Sequence, residues 1–303
     1  MLFIIGVLLS AGLFLIFRTF HQFKINTFQA IVCNYWTCVF TALLYIGDLD
    51  ALRLISLDLL WVKVPLFLGL LFIGTFYLMG FVAQNISVSA SSVAAKISLI
   101  IPVLFNLILF ENQNGFDVIN YLGLILVFVA IFFTSSRVEA TETQAQKQKS
   151  WGNLLLIVLI FLMSGAIDTS INWISKVSAT DATSQAIFSM LIFAVAGVIG
   201  SIILLQKVVF QKEKIELKNI VAGIILGVVN YFSVIFMIKS LQIEFVSNGA
   251  FFFPIFNIGI ILLSTFFAVL FFKERLNWRN KLGVLLAILA IICMAYQAIL
   301  SFF

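Results

Sequence analysis

Two ionisable side chains stand inside long apolar runs, and chemistry is expected from them first. Lys96 lies in "SSVAAKISLIIP" (91–102) and Asp168 in "FLMSGAIDTSINWISK" (161–176). A charge among apolar side chains is costly unless it meets water or a partner, so such residues mark substrate or ion paths. An ammonium can hold an anionic group; a carboxylate can hold a cation or carry a proton. Helical steps of three and four put Lys96 on one face with Ser89, Ser92, Leu99, Val103 and Asn106, and Asp168 with Ser164, Asn172 and Ser175. Each charge also has a plainer reading. The Lys96 stem can snorkel to the near interface, and Asp168 can be hydrated at the end of a short helix. A Lys96–Asp168 pair would lower the cost of both.

Further polar residues fall on helix faces. Tyr77, Phe81 and Gln84 share one; Asn230, Ser233 and Met237 share another, with Tyr231 and Trp173 as aromatic walls. Asn248 and Asn257 flank Pro254 in "SNGAFFFPIFNIG" (247–259). Each of these packs a helix as readily as it lines a site. Pro102 and Pro254 each remove a helical hydrogen bond and are expected to bend their helices. His21 is the single histidine, and Cys33, Cys38 and Cys293 have neither disulfide-framework nor metal-ligand spacing. A histidine-based metal site or triad is therefore not expected, and no cofactor is.

The elements that carry these residues follow from composition. The chain has 303 residues, 63% hydrophobic and 10% charged, against about 25% charged in soluble proteins. Runs long enough to cross the hydrocarbon recur at 2–17, 28–47, 64–83, 88–110, 118–134, 152–174, 182–205, 219–240, 245–272 and 279–302, which predicts ten transmembrane helices. The first lacks a positive n-region and a cleavage site and is read as a span, not a signal peptide. Residues 52–63 are amphipathic and suit the outer interface. Gly223 and Gly227 form a small-xxx-small pattern, read as a helix contact.

Loop charge sets orientation. Thirteen Lys or Arg fall in the loops after the odd-numbered spans and four on the opposite side. The basic loops 1–2, 5–6, 7–8 and 9–10 are thus expected in the cytoplasm and both termini outside, in a bacterial inner membrane. The net charge of +5 resides in these loops and does not point to nucleic acid.

The chain also repeats. "QAI" at 29–31 returns at 185–187, "VSASSVAA" (88–95) falls on "IEFVSNGA" (243–250), and "YLGLILVFVAIFF" (121–133) on "KLGVLLAILAIIC" (281–293). Two five-span units are expected, 1–136 and 151–303, joined by a polar linker at 137–150. Five is odd, so the second unit is inverted; "ENQNGFD" has no positive residue where its counterpart "KERLNWRNK" has four. Inverted repeats and matched helix interruptions are transporter features, and Pro102 and Pro254 lie on counterpart spans.

Ten helices in two inverted units resemble the drug/metabolite transporter superfamily, in particular its EamA-like members. The resemblance covers nearly the whole chain and is sharpest at "PIFNIGIILLSTFFAVLFFKERLNWRNKLGVLLAILAI" (254–291), with its "KERL" turn followed by "LG". The first unit departs from it, with "ENQ" at 111–113, and the family is often described with both termini cytoplasmic. The resemblance implies an all-α fold with a central cavity, and a secondary transporter that exports a small metabolite, amino acid or drug. Asp168 is the residue placed to couple transport to protons. Membrane lipids are expected partners, and the protein is expected as a monomer or homodimer. Translocation of a lipid or lipid-linked sugar, or a sensor or scaffold role without transport, remain the alternatives. An enzyme is not expected: an intramembrane aspartyl protease needs two carboxylates at depth, and a Ser–His hydrolase needs a buried histidine.

Overall fold

A computed structural model of the chain describes residues 1–47, 60–109, 117–134, 144–177, 182–244 and 249–300. Among these residues the structure is all-helical: α1 Leu2–Gln22, α2 Thr27–Ile46, α3 Leu60–Asn85, α4 Val88–Ile97, α5 Ile100–Leu109, α6 Val118–Thr134, α7 Gln144–Val177, α8 Ala182–Gln211, α9 Leu217–Ile243, α10 Gly249–Phe272 and α11 Trp278–Leu300. Eight of the helices are long and apolar enough to cross a membrane, and two shorter apolar stretches run Val88–Pro102 and Val118–Thr134. The chain is a polytopic, all-α integral membrane protein. The expected fourth and fifth spans are the two shorter stretches.

The fourth expected span, 88–110, is two helices. Ser87 starts α4 as N-cap, with extended backbone (φ −168°, ψ 140°), and accepts from Ala90 N. Ten residues later α4 ends, and α5 begins at Ile100 with Pro102 as its third residue. Proline has no N–H to bond to residue 98, and its ring would strike that carbonyl if the helix ran on. In a first turn neither matters, because those N–H groups have no helical acceptor. The chain therefore restarts its helix just ahead of Pro102. Pro254 is the sixth residue of α10, which continues unbroken through it to Phe272.

The described chain divides into two compact units that both draw on its two halves. One comprises Met1–Arg18, Leu78–Ala166 and Ser233–Phe303; the other comprises Thr19–Tyr77 and Ile167–Phe232.

In the first unit α4 packs on α10, α6 and α11, and α10 packs on α11. The α6–α11 contact is antiparallel and reciprocal. Asn120 Nδ2 donates to Cys293 O (3.3 Å), and Asn280 Nδ2 donates to Thr134 O (3.3 Å). Gly123 lies against Met294 and Cys293, and Gly283 against Thr134 and Phe133. Asn120 and Asn280, Gly123 and Gly283, and Thr134 and Met294 are each 160 residues apart, the same shift that relates the two sequences.

In the second unit α2 packs on α8, where Trp36 Nε1 donates to Ser201 Oγ (2.9 Å). It also meets α9, through the two glycines read as a helix contact. A Cβ on Gly223 would lie 2.5 Å from Ala30 O, and one on Gly227 would lie 2.7 Å from Asn34 O. The close approach lets two thiols bond to the α9 backbone, Cys33 Sγ to Ile220 O and Cys38 Sγ to Gly227 O, both at 3.4 Å. Tyr35 fills the core beside Phe76 and Phe193, with ring centroids 5.8 and 6.2 Å away.

Candidate functional site

The first unit gathers four of the expected residues around the α4–α5 interruption. A helix end within a membrane leaves backbone carbonyls that must find donors inside the protein. At the end of α4, Ser98 Oγ donates to Ala95 O (2.7 Å). Lys96 O accepts from Leu99 N (3.4 Å) and from Asn257 Nδ2 of α10 (3.4 Å). Lys96 itself is half-buried in the last turn, where a positive charge is favoured by the helix dipole. Ser92, fully buried, accepts from Ser264 Oγ of α10 (2.8 Å). Pro102 is buried on the other side of the break.

The start of α4 is held as well. Glu274, in the "KERL" turn after α10, accepts from the Ser87 hydroxyl and from Val88 N (3.2 Å). Thus α10 and its turn touch α4 at its first turn, its middle and its last turn. Ser91 Oγ adds a bond to Met79 O near the end of α3 (3.0 Å). Gln84 is half-buried, and its carbonyl and that of Ala83 accept from the Arg18 guanidinium.

The remaining expected residues lie in the second unit or outside the described set. Tyr77 is 41% exposed and meets Phe28 edge-on at 6.1 Å. Asn230 is buried; its Nδ2 donates to Asn34 Oδ1 (3.2 Å) and approaches Cys38 Sγ (3.6 Å). Asp168 is exposed on α7. Asn248 lies outside the described residues, and so do the side chains of Asn106 on α5 and Asn172 on α7. Lys96 and Asp168 belong to different units. His/Cys/Asp/Glu groups suited to a metal are absent among the described residues.

Sequence reasoning missed Glu274, Ser264 and Ser98 as braces of the broken helix, and Asn34 as the partner of Asn230. Asn34 was findable, as an amide inside the apolar run "AIVCNYWTCVF" (30–40). Glu274 had a signal in "QKEK" (211–214) and "FKER" (272–275), two Lys–Glu pairs that each follow an apolar run. The first of these works like the second. Glu213 Oε1 accepts from Asn26 Nδ2 and Gln29 Nε2, both at 2.7 Å, at the start of α2.

No known protein-family model matches the chain. It is 28% identical over 297 residues to a Haemophilus influenzae (strain ATCC 51907 / DSM 11121 / KW20 / Rd) protein described as uncharacterized, covering 97% of each. A solved crystal structure described only as that of a protein aligns over 99% of this chain and 97% of its own, with TM-score 0.59 and 12% identity. That likeness is one of fold.

Proposed function

We propose that this protein is a secondary active transporter, of the EamA-like kind within the drug/metabolite transporter superfamily. The observation that carries the reading is the interruption of the fourth apolar segment at Ser98–Leu99, braced by unbroken α10. Each of α4 and α5 is ten residues long, about 15 Å at 1.5 Å per residue, so neither crosses a membrane alone. Half-helices that meet at membrane depth are where secondary transporters bind their substrates and coupling ions. The reciprocal α6–α11 contacts, at the sequence-repeat shift of 160, support two units of inverted topology.

Lys96 supplies the positive charge at this point, and its task is to meet an anionic group on a small metabolite, amino acid or drug. Alternating access follows from a hinge at Ser98–Leu99. Because α10 grips α4 at three heights, α4 moves with α10 and the bend is taken up before Pro102. Export against a gradient, with Asp168 as proton carrier and the basic loops in the cytoplasm, completes the proposal.

The test is a screen of metabolites and dyes in proteoliposomes, with and without a pH gradient. Wild type should move at least one class of compound. The Lys96→Gln protein should raise KM for anionic members, and Asp168→Asn should remove the effect of the pH gradient. Absence of movement for every class under both conditions would overturn the transporter reading.

A further inference from the structure

Three lysines adopt a backbone conformation that suits lysine poorly. Lys24, Lys212 and Lys273 have φ of 50°, 52° and 50°, and among the described residues they are the non-glycine residues with positive φ. Each follows a helix that ends on the basic side by the loop-charge reading: α1, α8 and α10. Each closes its helix. After α1, Ile25 N bonds Phe20 O (2.8 Å) and Lys24 N bonds His21 O (3.3 Å). After α8 and α10, Glu213 N returns to Lys207 O (3.3 Å) and Glu274 N to Ala268 O (3.2 Å).

A left-handed residue at this place is ordinarily glycine, which has no Cβ to clash. The end of α2, on the opposite side by the same reading, follows that rule with Gly47 (φ 70°). The left-handed turn has a task of its own after α8 and α10, since it aims Glu213 and Glu274 inward. Glycine or asparagine would do that with less strain. The lysine side chain must therefore be wanted for itself.

All three lysines are exposed, and none meets a carboxylate among the described residues. An exposed ammonium held at the last turn of a membrane-crossing helix stands at headgroup height on the side where thirteen of the loop cations gather. Its complement there is the phosphate of an anionic lipid. We propose that Lys24, Lys212 and Lys273 are separate contacts for the headgroups of anionic phospholipids.

The experiment compares wild type with the triple variant Lys24→Gly, Lys212→Gly, Lys273→Gly. Both are placed in nanodiscs of phosphatidylcholine, or of equal parts phosphatidylcholine and phosphatidylglycerol. In phosphatidylcholine the variant should unfold about 2–4 °C higher per relieved site. Phosphatidylglycerol should raise the wild-type midpoint and leave the variant's nearly unchanged, and retention of anionic lipid should fall about fivefold per lysine removed. The three Lys→Arg replacements together should keep the lipid response. Inorganic phosphate at matched ionic strength should not reproduce it. An equal phosphatidylglycerol response in wild type and the glycine variant would overturn the proposal, and so would a shift reproduced by phosphate alone. A glycine variant less stable than wild type in phosphatidylcholine would overturn the strain argument on which it stands.

Discussion

Removing the Glu274 carboxylate should loosen the start of α4. This group accepts the Ser87 hydroxyl and Val88 N, and Ser87 in turn caps Ala90 N. A hydrogen bond to a charged group contributes about 1.5–3 kcal/mol net, and a carboxylate at a helix N-terminus adds about 0.3–1 kcal/mol. Glu274 is half-buried, so water can replace part of what is lost. The two bonds and the helix-end charge sum to about 3–7 kcal/mol, and with water replacing part of them Glu274→Ala should cost about 2–3 kcal/mol. Glu274→Gln, which keeps an acceptor for Val88 N, should cost about 1 kcal/mol. Chains of about 150–250 residues lose about 2–4 °C per kcal/mol; at 303 residues the lower figure of about 2 °C applies, and the alanine variant should unfold about 4–6 °C below wild type. Heating in detergent micelles at one scan rate, followed by fluorescence of the 5 tryptophans, gives this apparent midpoint. Ser87→Ala with Glu274→Ala should cost less than the two separately, by about 1 kcal/mol, because both remove the same bond. Midpoints within about 1 °C for Glu274→Ala, or strict additivity of the pair, would refute the clamp.

Asn257→Leu withdraws the donor from Lys96 O; it should cost about 1 kcal/mol and, under the transporter proposal, lower kcat in the proteoliposome assay more than it raises KM. Gly227→Leu would drive a side chain into Thr37 and Asn34 O, which already stand 2.6 and 2.7 Å from an ideal Cβ, so the micellar unfolding midpoint should fall by the equivalent of about 3 kcal/mol or more. Glu244 accepts from the Met1 ammonium and from Phe3 N and Leu2 N, both at 2.8 Å, and these bonds hold its carboxyl below the usual carboxylate range. A lowered folded-state value means that its stabilisation is present above the ordinary carboxylate pKa and is lost as pH falls through the lowered one. Unfolding midpoints measured down the acid range should fall less steeply for Glu244→Gln than for wild type.

The helices were legible because length and apolarity decide them. The expected span 28–47 is α2, Thr27–Ile46, almost unchanged. Others run past their apolar runs: α7 begins at Gln144, inside the expected polar linker, because Gln, Ala and Lys are good helix formers and need no apolar setting. Pro102 signalled a bend, but proline acts on the preceding turn, so the interruption falls at Ser98–Leu99. The same residue type at 254 does not interrupt α10, which has barely begun there and loses a single bond. Lys96 stood out as a charge in an apolar run. Asn257 stood out beside Pro254, but its bond to Lys96 O did not, and Ser264 and Glu274 are ordinary polar residues until the pairing of α10 with α4 is known. Their roles belong to packing across the chain, which local spacing does not encode.

The grip of α10 on α4 also orders the protein's synthesis. The four bonds by which α10 and its turn hold α4 join residues 161, 172, 186 and 187 positions apart. At about 5–20 residues per second, α4 leaves the ribosome roughly 10–40 s before its braces exist. During that interval α4 has its bond to α3 and the local bonds at its end but lacks every group that α10 and its turn will supply. It must wait at the insertion machinery or the interface until α10 arrives, so a nascent chain stopped after α6 should remain open to protease at Ser98–Leu99.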